Sequence, residues 1–146
     1  MIRYIFPLFL ILFAGCVSNQ QTFAFAKKSP DINITDSKTE KLSRAHLYYW
    51  DRFSKKKFKE TYAMELPYQR FLKNYEWYKK FNYTNDQNYT IEQLNIRMLD
   101  KNSAIVKSKY ISKDRQATFL FDDRWYFVNG NWYHLMKTSK IPLPEE

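Results

Sequence analysis

Trp125-Tyr126-Phe127-Val128-Asn129-Gly130-Asn131-Trp132-Tyr133-His134-Leu135 places an aromatic run on either side of Asn-Gly. A two-residue hairpin turn needs positive φ at both central positions, and Asn-Gly supplies that at the least steric cost. The stretch therefore predicts two antiparallel strands, Trp125–Val128 and Trp132–Leu135, turning at Asn129-Gly130-Asn131.

Upstream, the same period of two recurs. Ala117, Phe119 and Phe121 alternate, and Asp122-Asp123-Arg124 reads as a turn. Ala104, Val106, Ser108 and Tyr110 share a face. Leu94, Ile96 and Met98 alternate with Asn95, Arg97 and Leu99, before a turn at Asp100-Lys101-Asn102. Asn82–Asn88 is a loop by composition, and ahead of it the period is nearer 3.6. From about Lys41, Leu47, Trp50 and Phe53 or Ser54 recur at helical steps. Phe58 and Tyr62 continue them after Lys55-Lys56-Lys57, and Pro67 ends the segment by pushing Leu66 out of the helical region. A further helix gathers Tyr68, Phe71, Leu72, Tyr75 and Tyr78 on one face. Helices first and an antiparallel meander afterwards predict an α+β domain over residues 41–137, its N-terminal helices packed on a curved antiparallel sheet. Pro142 and Pro144 mark a loose tail, 138–146.

The other end of the chain has the three-part layout of a secretory leader: a basic start at Arg3, an apolar run Tyr4–Phe13, then Ala14-Gly15-Cys16. The run is shorter than the roughly 20 residues a spanning helix needs. It resembles the bacterial lipoprotein signal, which implies removal of residues 1–15 and a lipid on Cys16, the new first residue. Residues 16–40, polar and without sustained periodicity, then read as a flexible tether from membrane to domain. Val17 follows the anchor where Asp would hold an enteric lipoprotein at the inner membrane. That likeness implies the outer membrane, facing the periplasm.

Composition narrows the function classes. Gly15 and Gly130 are the two glycines, so no Walker-type or dinucleotide loop can be built. Cys16 is the single cysteine, which leaves no internal disulfide, no thiol nucleophile and no cysteine metal site. No metal-ligand spacing and no cofactor motif stands out. The formal charge of +9 favours anionic neighbours, namely lipid headgroups, an anionic envelope polymer or an acidic envelope protein. Nucleic acid is not expected of an exported chain. With 12 Tyr, 12 Phe and 4 Trp, aromatic burial should dominate the core.

A leading helix with Ala45-His46-Leu47-Tyr48-Tyr49-Trp50, an aromatic turn Phe58–Pro67, a further helix, then strands closing in the Trp125–Tyr133 hairpin resembles the NTF2-like (cystatin-like) superfamily. The resemblance covers about Lys41 to Met136. It implies a bent sheet wrapping the helices into a cone. Members include isomerases, dehydratases and pure binding modules, so the likeness does not choose among them. The enzymes place an acid–base pair inside the cone. Here the imidazoles are His46 and His134, with Asp51, Glu60, Glu65, Asp100 and Asp114 as available acids. His134, His46 and Asp51 are the catalytic candidates, weighed against ordinary hydrogen-bonded core residues.

Trp50, Trp77, Trp125 and Trp132 are the candidate pocket lining for an apolar or sugar-containing ligand. The plain alternative is a filled aromatic core. Lys55-Lys56-Lys57, Lys59, Lys79-Lys80, Lys107, Lys109, Lys113 and Arg115 form either a solvated face or a surface for anionic lipid. Asn33 and Asn88 each have an acid two residues before and Thr two after. This resembles the acceptor sequence of the N-glycosylation system of Campylobacter and its relatives, and makes both candidate acceptors. The sequence favours a non-catalytic, lipid-anchored binding or interaction module facing the periplasm. The alternative is a small cofactor-free enzyme of isomerase or dehydratase type. A histidine on a carboxylate in a roomy cavity would favour the enzyme; a filled cone would favour a surface-mediated role.

Overall fold

The computed structural model describes residues 25–32, 34, 36–82, 88–112 and 115–137. The expected leader, Cys16, Asn33, Lys113, Asp114 and the tail lie outside them. Four helices pack on a curled five-stranded sheet, the expected α+β arrangement.

Ala26–Lys28 (β1) pairs in parallel with Tyr89–Met98 (β2). Ser103–Ser112 (β3), Ala117–Val128 (β4) and Asn131–His134 (β5) continue the sheet as an antiparallel meander in chain order. The stretch assigned to the tether thus reaches into the fold: Ala26 and Ile32 are buried. Three residues are too short to show a period, so β1 left no pattern to read.

Helix α1 spans Ser37–Ser54. It begins four residues before Lys41 because the Asp36 carboxylate accepts from the Lys38 and Thr39 amides, both at 2.8 Å, and caps it. Its buried face is Thr39, Leu42, Ser43, His46 and Tyr49, so Leu47 and Trp50 are flank residues rather than its centre line. Lys56 has φ +56°, and its amide reaches Phe53 O while that of Lys57 reaches Arg52 O. This left-handed cap turns the chain into α2, Phe58–Ala63.

Pro67 opens α3, Pro67–Leu72, after an extended Leu66. The expected single helix beyond it is two, because Lys73 is extended and α4 starts afresh at Tyr75–Asn82. The Tyr62 hydroxyl donates to the Arg70 and Lys73 carbonyls and pins that break. As a result Phe71 and Leu72 face outward instead of joining Tyr78 inside.

Two strand readings also change. Asp122–Arg124 is not a turn; β4 runs through it without interruption, paired along its length with β3. In β2 the register slips between Gln93 and Asn95, so Tyr89, Ile91 and Gln93 point inward before Leu94, and Ile96 packs on the core after it. The Asn129-Gly130 hairpin forms as expected, with φ +48° and +84°. One core gathers Leu42, Tyr49, Ala104, Val106, Trp125 and Trp132; a second joins Phe58, Tyr78 and Met136 under α4.

Candidate functional site

The inner face of the sheet brings both histidines to one carboxylate. Period two along β4 puts Phe119, Phe121, Asp123 and Trp125 on one face, the last two fully buried, and α1 presents His46 from its buried face and Trp50 from its flank toward them. Asp123, fully buried, lies 3.5 Å from His46 Nε2 through one oxygen and 3.5 Å from His134 Nε2 through the other. The same carboxylate accepts from the Trp50 indole at 2.7 Å and from Lys137 Nζ at 3.0 Å. Glu65 reaches the cluster because the chain between α2 and α3 docks on β5: Leu66 N bonds His134 O, and His134 N bonds Met64 O. Its carboxylate then meets His134 Nδ1 at 2.9 Å and accepts from the Tyr49 hydroxyl at 2.6 Å. The chain of polar groups continues through Tyr78 to Thr61.

These partners set the charges. Burial alone would lower the His134 pKa, but the Glu65 charge and the hydrogen bond to Asp123 outweigh it and hold the ring at about 9. Burial lowers His46, against the pull of Asp123. For Asp123 burial acts upward, yet the hydrogen bonds from His134 and His46 and the charges of His134 and Lys137 keep it well below the usual carboxylate range. Tyr49 is pushed up by burial and by the Glu65 charge. At neutral pH the cluster is therefore an imidazolium shared by two carboxylates, with a neutral imidazole beside it.

Neither ring keeps a lone pair for proton abstraction. Both nitrogens of His134 donate to carboxylates. The Gln93 oxygen is taken by the Ser43 hydroxyl, so its amide nitrogen donates to His46 Nδ1 at 3.0 Å, leaving the proton on Nε2 facing Ser108 and Asp123. Asp51 is buried, but pairs with Lys55 at 2.8 Å and with neither histidine. Glu60 accepts from Tyr48, and Asp100 caps the turn before Ser103. The acid that joins the histidines, Asp123, was hidden in turn-like composition; the parity of Phe119, Phe121 and Trp125 was the signal for it.

The tryptophans do not line one pocket. Trp125 is core, with no exposure, and Trp77 on α4 is half-buried, packed against the Phe58–Tyr78–Met136 core and stacked on Phe81. Trp132 borders an open cleft of about 420 Å³ between Lys41, Met64 and the hairpin. Trp50 lines a different cleft of about 240 Å³, whose other walls are Phe53, Tyr89, Tyr110, Phe119 and Phe121. Tyr89, Tyr110 and Phe119 form a ladder across three strands, with centroids 4.8 and 4.7 Å apart. Phe121 meets Trp50 edge-on at 5.2 Å. This aromatic mouth and the buried cluster meet at Trp50, whose ring lines one and whose N–H binds the other. Neither histidine borders either cleft. Asn88 is exposed at the entry to β2.

No family model matches the chain, and no curated protein matches it. Among solved structures, a SEC-C motif containing protein from Rhodopseudomonas palustris aligns at 10% identity with a TM-score of 0.46, covering 72% of this chain and 93% of that one. Among the described residues no helix is long and apolar enough to cross a membrane.

Proposed function

We propose that this chain is a lipid-anchored envelope protein with an NTF2-like cone, held by Cys16 on the periplasmic side and acting, without catalysis, by binding an apolar or aromatic ligand in the mouth between Trp50 and Phe119. The observation that carries the binding reading is the mouth itself: six aromatic side chains, from α1 and three strands, line an open cleft. At about 240 Å³ it lies under the roughly 300 Å³ typical of drug-sized sites, so it suits one ring or the end of a longer molecule. The enzyme alternative has carboxylates within reach of both histidines. Against it, both imidazoles are buried with every ring nitrogen engaged. The anchoring part rests on the Phe13–Cys16 sequence alone.

Titration of the full chain with the fluorescent apolar probe N-phenyl-1-naphthylamine tests the site. Phe119 is half exposed, so Phe119→Ser leaves the core intact while removing a wall. Losing contact with a Phe side chain, about 1.5–3 kcal/mol when fully buried, should weaken the probe roughly ten- to hundredfold. Equal affinity in the variant would move the site elsewhere. The N-terminal peptide of the envelope-extracted protein should begin at a diacylglyceryl-modified Cys16; an intact leader would remove the anchor.

A further inference from the structure

Helices α3 and α4 present a second aromatic surface, separate from the mouth. Phe71 is 90% exposed, Leu72 52% and Phe81 53%, although each is large and apolar. Tyr78 takes the inward face of α4, leaving Trp77 and Phe81, four residues apart, on a flank where their rings stack 4.7 Å apart. Lys73 extends its ammonium to 4.9 Å above the Trp77 ring. Lys79 and Lys80 are exposed, and between Pro67 and Asn82 the basic residues Arg70, Lys73, Lys79 and Lys80 face a single acid, Glu76.

We propose that this surface rests on an anionic lipid bilayer, with Phe71, Trp77 and Phe81 in the headgroup boundary and Lys73 and Lys80 on lipid phosphates. The mixture of residues argues for lipid over a protein partner. The buried centres of protein interfaces are depleted in Lys. A bilayer boundary instead accepts aromatic rings and the aliphatic stems of lysines whose ammonium groups reach the headgroups. The surface stands on these side chains whether or not Cys16 carries lipid.

The full chain, reconstituted on phosphatidylglycerol–phosphatidylcholine vesicles brominated near the headgroup, supplies the test. Only protein recovered with the vesicles by flotation is read, so the readout is which tryptophan the bromine quenches, and a variant that does not float counts as unquenched. Trp77→Phe should remove at least half of the bromine-dependent quenching. Phe71→Ser, at a side chain 90% exposed, should reduce it at least twofold, as should Lys73→Ala with Lys80→Ala. Vesicles without phosphatidylglycerol should give at least twofold less quenching than those with it. Quenching that is unchanged in Trp77→Phe would overturn the proposal. So would a dimer, or a soluble partner, that protects Trp77 while bromine leaves it unquenched.

Discussion

His134 sits between Glu65 and Asp123, and its neighbour His46 shares Asp123 with it. The two rings respond to pH in opposite senses. His134 is held at about 9 in the fold against an ordinary 6.5, so its stabilisation is complete below pH 6.5 and is lost as pH rises through about 9. The pKa of His46 is depressed below 6.5, so the unfolded chain takes up a proton that the fold does not, and stability falls as pH drops below 6.5. Asp123, depressed below 3.8, adds its loss only at more acid pH. Urea midpoints measured from pH 5 to 9.5 should therefore peak near 6.5 and decline on both sides, with His46→Gln flattening the acid limb. A midpoint constant from pH 6.5 to 9.5 would contradict the charged state assigned to His134. His134→Ala should cost about 3–5 kcal/mol in the same assay, because it leaves two buried carboxylates without their shared cation.

Among the elements, the β4–β5 hairpin is the one most directly written in the chain, and it can be tested in isolation from packing. A Cβ at Gly130 would meet nothing within 4 Å, so Gly130→Ala should cost only the left-handed backbone at φ +84°, about 1–2 kcal/mol by urea unfolding. A neutral result would mean the turn relaxes. The readings that failed did so for related reasons. Asp122-Asp123-Arg124 has turn composition, but Trp50, His46, His134 and Lys137 satisfy Asp123 inside the fold, and no local pattern announces partners that distant in sequence. Tyr62 separates α3 from α4 by holding two carbonyls, an effect invisible to periodicity. Leu94 falls where β2 slips register, so the strict alternation places Ile96 correctly but puts Leu94, rather than the buried Gln93, on the inner face ahead of it.

At the scale of the molecule, fold class was legible because the change of hydrophobic period divides helices from meander near residue 88. The site was legible only in part. Trp50 was named from composition, whereas Tyr89, Tyr110, Phe119 and Phe121 converge through the curl of three strands that a linear reading cannot close. The resulting molecule locks His46, His134, Asp123 and Glu65 inside and leaves the mouth between Trp50 and Phe119 open, which is the physical basis for proposing that it binds. Intermolecular nuclear Overhauser effects from bound N-phenyl-1-naphthylamine test that assignment most directly. The account predicts cross-peaks to the ring protons of Tyr110, Phe119 and Phe121; cross-peaks confined to Trp132 and Tyr133, or none at saturating probe, would contradict it.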